Sequence, residues 1–373
     1  MRILLANAYS ALNAGDGLLV RRAVDLVHEA WPEEDLDLVV AASHPESFAA
    51  DPGLLAIHPI RGRRPIVVAV AGLSAFAAPT AGRHGLSDAF RESLSRSDLV
   101  VSVGGGYLRQ PTLRGGVASM AVHGAQLRAI ARSSKPWVLL PQSIGPLVGR
   151  PGEAVRSALA AARTVWVRDD RSLAEVGGGA RVRRAPDMAL LAMADGLPTP
   201  AAGTAPVGVV IRPLDHPRDY EDRLGRMLAD LPTVEGLVQS SHSANDDRPF
   251  TRGFGLSTRR SLREALGSDL RHRPAAVVSV RLHGALESIL AGVPAVHLGY
   301  ERKAWGAYGD VGLGAFLHAA RGFDPRAVSR QALDLADDPS PFWAALSTGT
   351  GRLADARAEV LASVRDAVEG GPR

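Results

Sequence analysis

The chain has 373 residues, of which 46% are hydrophobic and 22% are charged, a composition typical of a globular protein long enough for two domains. It contains no cysteine, which excludes disulfides, thiolate metal sites and cysteine nucleophiles. The formal net charge is only +4 and aromatic residues make up 5%, so the sequence lacks the dense basic, aromatic-rich segments of nucleic-acid-binding proteins.

Apolar runs and helical patterns alternate along the first half of the chain. Strands are predicted at residues 2–6, 36–41, 99–103, 137–141 and 165–168, and helices at residues 16–30, 116–132 and 153–162. The apolar runs are continuous rather than alternating, which indicates strands that are covered on both faces. Their repetition with helices indicates parallel βαβ units.

A Pro-, Ala- and Gly-rich stretch at residues 197–206 interrupts this pattern and is the predicted linker. Beyond it, strands are predicted at residues 207–211, 236–239, 275–280 and 295–298, and helices at residues 220–231, 284–291 and 351–369. We therefore predict an α/β protein with two Rossmann-like domains facing a cleft, at residues 1–196 and 207–345. The segment 346–373 is predicted to form a C-terminal helix that could pack back on the first domain.

The first motif consists of Asn13, Gly15 and Asp16, between the first predicted strand and the first predicted helix. A small turn at a helix N-terminus exposes backbone N–H groups, which suit an anion. Alternatively, Asp16 is simply the N-cap of the helix and Gly15 permits a tight turn. The pattern leaves both interpretations open.

Two further motifs follow the next pair of strands in the first half of the chain. Gly104, Gly105 and Gly106 permit either a close approach of the backbone to a ligand or a sharp structural turn. Gln142 and Ser143 follow the strand at residues 137–141, and their side chains could hydrogen-bond sugar hydroxyls or phosphate oxygens. The alternative is a turn punctuated by proline and glycine, as is common where strands end.

Arg168 ends the predicted strand at residues 165–168 and precedes Asp169 and Asp170. Its guanidinium could bind an anion, or it could form a surface ion pair with a neighbouring aspartate. No spacing of histidine and carboxylate residues in the sequence matches a metal site, so no metal is predicted.

The most informative motif is Ser279, Arg281 and His283, at the end of the predicted strand 275–280. If the run stays extended, these three side chains project to one side. Ligands of open α/β sheets bind at the carboxyl ends of strands. A fixed cation and a titratable imidazole there suit an anionic substrate and a proton transfer, and Lys303 after the next strand adds a cation on the same rim.

Taken in order, these motifs resemble those of the polysaccharide pyruvyl transferase family. The resembling blocks are Asn13-x-Gly15-Asp16, Gly104-Gly105-Gly106, Pro141-Gln142-Ser143-Ile144-Gly145-Pro146, Arg168-Asp169-x-x-Ser172, Pro186-Asp187, Gln239, Ser279-x-Arg281-Leu282-His283, Ala291-Gly292-Val293-Pro294 and Lys303. The resemblance implies a fold similar to GT-B glycosyltransferases. It also implies transfer of the pyruvyl group of phosphoenolpyruvate to two hydroxyls of a sugar, giving a ketal and phosphate.

The resemblance further implies roles for individual residues. Arg281 and His283 are expected to contact phosphoenolpyruvate, with Arg168 as a third contact, and we hypothesise that His283 is the general acid/base. The remaining expected substrate-binding residues are Lys303, Ser279, Gln142, Ser143, Asn13, Gly15, Asp16, Gly104, Gly105, Gly106 and Gln239. Phosphoenolpyruvate is expected as a co-substrate with no further cofactor. The first domain is expected to hold a sugar or glycan acceptor, for which a lipid or nucleotide carrier is an open option.

Two other functions fit the same pattern. One is a GT-B-type glycosyltransferase or epimerase that uses a nucleotide sugar, and the other is a non-catalytic protein that binds a sugar or an anion. The N-terminal apolar run is shorter than a signal-peptide core, and no stretch reaches the roughly 20 apolar residues of a membrane span. A cytoplasmic location is therefore expected, with peripheral association at the inner membrane surface left open.

Overall fold

A computed structural model describes most of the chain. The described residues are 1–62, 70–73, 76, 85–109, 120–201, 203–215, 218–241 and 245–370. They form two compact units, each with its own parallel sheet. The first unit comprises Met1–Ala11, Asp16–Met188 and Ala356–Arg373, and the second comprises Leu12–Gly15 and Ala189–Asp355.

The sheet of the first unit has seven parallel strands in the order β3-β2-β1-β4-β5-β6-β7. In chain order the strands are β1 (Arg2–Ala8), β2 (Asp37–Ala42), β3 (Leu54–Ile57), β4 (Leu99–Ser102), β5 (Trp137–Gln142), β6 (Thr164–Val167) and β7 (Val182–Arg184). The accompanying helices are α1 (Ala14–Ala30), α2 (Asp88–Arg96), α3 (Ala125–Arg132), α4 (Gly149–Leu159), α5 (Asp170–Val176) and α6 (Met188–Leu191). The central strands β4 and β5 are buried along their whole length, as their continuous apolar sequences predict.

The sheet of the second unit has five parallel strands in the order β12-β11-β10-β8-β9. The strands are β8 (Val207–Val210), β9 (Val234–Gly236), β10 (Val277–Ser279), β11 (Ala295–Gly299) and β12 (Leu317–Ala319). The helices are α7 (Arg218–Ala229), α8 (Arg248–Gly253), α9 (Leu262–Gly267), α10 (Leu282–Leu290), α11 (Lys303–Asp310), α12 (Pro325–Asp337) and α13 (Ser340–Ser347). The C-terminal helix α14 (Gly351–Glu369) begins in the second unit and belongs to the first unit from Ala356 onward. The α/β class and the two parallel sheets are thus confirmed.

Several strands differ from the predictions, some in their boundaries and some because they were missed. The strand predicted at residues 236–239 is β9, which ends at Gly236, and the strand predicted at 275–280 is β10, which ends at Ser279. The sequence did not predict β3, β7 or β12, which are short strands at sheet edges with partly exposed residues. Such strands lack the continuous apolar run that marks a strand covered on both faces.

From Ala356 onward, the C-terminal helix α14 makes long-range polar contacts within the first unit. Trp166 donates through Nε1 to the hydroxyl of Ser363 at 2.8 Å, and Arg365 donates through Nε to the carbonyl of Ala30 at 2.9 Å. Of the helix predicted at residues 116–132, residues 116–119 lie outside the described residues. The rest forms a π-helical turn, Met120–Gly124, followed by α3.

Candidate functional site

The turn between β10 and α10 places Arg281 and His283 at the carboxyl end of the second sheet. Ser279 ends the strand and donates through Oγ to the carbonyl of Arg281 at 2.7 Å. Arg281 is the extended N-cap residue of α10, and His283 lies in the first turn of this helix. The prediction that Ser279, Arg281 and His283 alternate along one extended run was therefore wrong, because the chain becomes helical at Leu282.

Arg281 is fixed by a buried carboxylate that sequence reasoning did not select. Its Nε lies 2.9 Å from Oδ1 and 2.8 Å from Oδ2 of Asp247, and its Nη2 donates to the carbonyl of Asn245 at 2.8 Å. Asp247 is fully buried and also accepts from the amide of Ser240 at 3.0 Å. Burial raises the pKa of Asp247 despite the hydrogen bonds from Arg281. Among the described contacts, Nη1 of Arg281 remains for a ligand.

A short N-terminal segment, Leu12–Gly15, belongs to the second unit and lies beside this turn. Asn13 forms a β-bridge with Ser240, and Ala14 donates to the carbonyl of Gln239 at 3.3 Å. A Cβ atom at Gly15 would lie 2.5 Å from Nδ1 of His283, so only glycine fits there. The glycine of this motif thus permits a close approach of the backbone to the imidazole.

Asp16 does not act as the helix cap that one interpretation of the sequence predicted. Helix α1 begins at Ala14, so Asp16 lies within its first turn. Its negative charge favours the protonated form of two nearby phenols and thereby adds to the increase in the pKa of Tyr9 and Tyr107 that burial causes. Asp16 therefore contributes to the first unit, whereas Gly15 contributes to the second.

The side chains of Gln239 and Ser279 pack against the first turn of α10 at Gly284. A Cβ atom at Gly284 would lie 2.6 Å from Oε1 of Gln239 and 2.8 Å from Oγ of Ser279. Both side chains are buried, with exposed fractions of 4% and 0%. Their positions make them supports of the turn, and the expected contact of each with a substrate stays a prediction.

The neighbouring strand β11 adds a buried histidine and an ion pair. His297 lies with Nδ1 2.7 Å from the carbonyl of Ser279, and burial lowers its pKa to about 4. The ring is therefore neutral at pH 7 and donates through Nδ1–H to that carbonyl. Lys303, the first residue of α11, lies 2.7 Å from the carboxylate of Glu301.

In the first unit, Arg168 is the centre of a buried polar network. It forms an ion pair with Asp187 and donates through Nε to Oγ of Ser143 at 2.9 Å. Ser143 in turn donates to Asp169 at 2.6 Å, and Asp169 caps α5 through the amide of Ser172. Arg168 is only 3% exposed, so the expected surface ion pair is instead a buried one.

The two loop motifs that precede this network are joined to each other. A Cβ atom at Gly104 would lie 2.3 Å from the carbonyl of Pro141, and the carbonyl of Gly105 accepts from the amide of Ser143 at 3.0 Å. Gly104 is therefore required for close packing of the backbone. At Gly106 the nearest atom to a Cβ position is Nη2 of Arg168, at 3.6 Å.

Gln142 is also enclosed in the first unit. It ends β5 and its side chain is fully buried. Neither polar atom of this side chain has a hydrogen-bond partner among the described residues. The expected contact of Gln142 with substrate stays a prediction.

A family model described as polysaccharide pyruvyl transferase matches residues 13–302, which is most of the chain. The protein belongs to the polysaccharide pyruvyl transferase family. The matched range begins at Asn13 and includes Arg168, Arg281 and His283. Family membership supports transferase activity and implies a sugar or glycan acceptor. No curated protein matches the chain.

Solved structures with low sequence identity share the fold of this pyruvyl transferase family member. UDP-GlcNAc 2-epimerase from Neisseria meningitidis bound to UDP-GlcNAc is 10% identical, with a TM-score of 0.55 over 98% of this chain and 99% of that chain. S. aureus MnaA with UDP is 10% identical, with a TM-score of 0.52 over 99% and 97%. The glycosyltransferase SnogD from Streptomyces nogalater is 17% identical, with a TM-score of 0.47 over 99% of both chains. The first two of these structures, with TM-scores above 0.5, thus share the α/β fold of this chain.

Two features are absent from the described part of the chain. None of its helices combines the length and the apolar character needed to cross a membrane. Within the same residues, no group of three or more histidine and carboxylate side chains is placed to hold a metal ion.

Proposed function

We propose that this protein transfers the pyruvyl group of phosphoenolpyruvate to two hydroxyls of one sugar, forming a ketal and releasing phosphate. The observation that carries this proposal is the turn from β10 to α10, where Arg281 is fixed by Asp247 and His283 is positioned against Gly15. An anchored guanidinium suits an anionic substrate, and a positioned imidazole suits proton transfer. Membership of the pyruvyl transferase family supports the same reaction.

The reaction can be written so that His283 moves a proton at a defined atom. His283 protonates the methylene carbon of phosphoenolpyruvate, and the first sugar hydroxyl attacks the adjacent carbon and returns a proton to the imidazole. The second hydroxyl then attacks the same carbon, the bond from that carbon to the phosphate oxygen breaks, and the proton of this hydroxyl leaves with phosphate. Both new C–O bonds are thus balanced by one broken C=C π bond and one broken C–O bond.

Arg281 binds an anionic group of phosphoenolpyruvate through Nη1 in this proposal. The carboxylate of Asp247 accepts from Nε and Nη2 and so fixes the plane of the guanidinium. Arg168 is expected to order the loops at Gly104 and Ser143, because its own charge is matched by buried Asp187. Direct contact of Arg168 with phosphoenolpyruvate stays a prediction.

The reaction is tested by incubating the protein with phosphoenolpyruvate and a panel of galactosides, glucosides and mannosaminides. Phosphate release is measured together with the mass and NMR spectrum of the sugar product, and the panel includes free, nucleotide-linked and lipid-linked acceptors. We expect phosphate and ketal in equal amounts with at least one acceptor. Phosphate release without a ketal would contradict the transfer.

A nucleotide-sugar enzyme is the alternative that the fold itself suggests, since one similar structure is an epimerase bound to UDP-GlcNAc. Ligand stabilisation grows with the ratio of ligand concentration to Kd, so thermal shifts at saturating ligand separate the two. Stabilisation by UDP-GlcNAc and none by phosphoenolpyruvate would favour the alternative. Stabilisation by phosphoenolpyruvate with no turnover on any acceptor would indicate a binding protein.

The proposed reaction also suggests where the protein acts. Because it consumes phosphoenolpyruvate, a cytoplasmic metabolite, we expect the protein to act in the cytoplasm.

A further inference from the structure

Arg212 is a cation at the edge of the second sheet that no sequence motif singled out. It follows the end of β8 by two residues, just as Arg281 follows the end of β10. Val210 pairs in register with Ser279, and the amide of Val280 donates to the carbonyl of Val210 at 2.8 Å. Since adjacent strands lie about 4.8 Å apart, Arg212 and Arg281 leave neighbouring strands at matching positions.

The cations at this edge differ in how their charges are balanced. Arg281 forms a bidentate pair with Asp247, and Lys303 forms an ion pair with Glu301. Arg212 forms no ion pair with a carboxylate of any residue that the structure describes. Its hydrogen bonds go to neutral oxygens, so its positive charge is available to a ligand.

Tyr300, at the carboxyl end of β11, orients this guanidinium. Arg212 donates through Nη1 to the Tyr300 hydroxyl at 3.1 Å, and its guanidinium carbon lies 5.6 Å from the centre of the Tyr300 ring. Its Nε donates to the carbonyl of Pro213 at 3.3 Å, so both N–H groups of Nη2 and the second N–H of Nη1 have no described partner. Both side chains are half-buried, so a ligand can reach them.

The charge of Arg212 also affects Asp247, the carboxylate that pairs with the neighbouring Arg281. It lowers the pKa of Asp247, the carboxylate that binds Arg281, in opposition to the larger effect of burial. Arg212 and the pair of Arg281 with Asp247 therefore share one electrostatic environment within the second unit. A single small anion with two charged groups could therefore bind Arg212 with one group and Arg281 with the other.

We propose that Arg212, together with the hydroxyl of Tyr300, binds the phosphoryl group of phosphoenolpyruvate, while Arg281 binds its carboxylate. A phosphate monoester carries close to two negative charges at pH 7, since its second pKa is about 6. It therefore requires a cation that no carboxylate neutralises. The neutralised pair of Arg281 with Asp247 offers hydrogen bonds without net charge, which suits the singly charged carboxylate. The inference rests on the proposed function for the identity of the ligand.

The test is titration calorimetry of the full chain with phosphoenolpyruvate, inorganic phosphate and pyruvate. We expect Arg212→Gln to weaken the binding of phosphoenolpyruvate by at least about ten-fold, because one charged hydrogen bond is lost. The binding of inorganic phosphate should weaken by a similar factor. Binding of pyruvate should change little. Arg212→Lys should lie between Gln and wild type, because it retains the charge without the fork.

The matched control is Arg226→Gln, which changes an exposed arginine on α7 and should bind all three ligands like wild type. Circular dichroism establishes whether the Arg212→Gln variant is folded. If it is not, the two single variants Arg212→Lys and Tyr300→Phe are used in its place. Wild-type affinity of Arg212→Gln for phosphoenolpyruvate, equal weakening of pyruvate, or no binding of phosphoenolpyruvate by wild type would each overturn the inference. Binding that depends on Arg212 but yields no phosphate with any acceptor would overturn only the proposed function.

Discussion

Gly15 lies against the imidazole of His283, so close that a Cβ atom at Gly15 would stand 2.5 Å from Nδ1 and 2.7 Å from Cβ of the histidine. The two residues come from opposite ends of the family motif set, yet both belong to the second unit. Because the histidine Cβ is itself in contact, rotation of the ring alone cannot relieve a larger residue at position 15. Gly15 is therefore a restraint on the position of the proposed acid/base.

Gly15→Ala tests this restraint. The new methyl group should displace His283 and lower kcat by about ten-fold or more, since misplacement of a catalytic group by about 1 Å can cost about 10²-fold. Gly225→Ala is the control, because a Cβ atom there meets nothing within 4 Å. Unchanged kcat in folded Gly15→Ala would show that this contact does not position the imidazole.

His283→Ala tests the proton transfer itself. Loss of a general acid/base typically lowers turnover by about 10²–10⁴-fold, so we expect kcat to fall within that range while the thermal midpoint stays close to wild type. His28→Ala, at an exposed position on α1, provides the comparison. Turnover of His283→Ala near the wild-type rate would remove His283 from the mechanism.

Asp247→Asn tests how much the buried ion pair with Arg281 contributes to stability, compared with a more exposed pair. Removal of one partner of a buried pair leaves an uncompensated charge and should cost about 3–5 kcal/mol of unfolding free energy. Asp246→Asn alters the adjacent pair with Arg248, whose side chains are 21% and 44% exposed, and should cost less than about 1 kcal/mol. Urea unfolding of both variants measures the difference, and equal losses would contradict the structural role of Asp247.

The stability of the fold should depend on pH through His297. Burial lowers its folded-state pKa from 6.5 to about 4, so the unfolded state takes up the proton first as the pH falls. Its contribution is complete above pH 6.5 and declines toward pH 4, by about 1.4 kcal/mol per pH unit.

The measurement is urea unfolding of wild type and His297→Gln at pH 7 and pH 5. Glutamine retains a donor for the carbonyl of Ser279 but does not titrate. The difference in stability between the two proteins should therefore shrink as the pH falls. A constant difference at both pH values would exclude His297 as the group responsible. Buried His123, whose pKa is lowered to about 3, should contribute in the same direction in both proteins and cancel.

The local patterns predicted the elements well where the chain is buried on both sides. The strands around Val100 and Leu139 were recognised from their apolar runs, and both are fully buried. Edge strands such as β7 were missed because partial exposure allows polar residues there. The ends of strands were less well predicted, as the early start of α10 at Leu282 shows.

The sequence by itself determined the α/β class, the family and the strand ends that carry Arg281 and His283, because these depend on short apolar runs and on residue order. Only the tertiary structure decided which partners these residues have. Arg281 meets Asp247, Arg168 meets Asp187, and His283 meets Gly15, and in each case the partner lies in a different element or loop of the chain. A parallel sheet brings together the carboxyl ends of strands that are distant in the chain. Such pairings are therefore set by strand order and register, and no periodic pattern in the sequence predicts them.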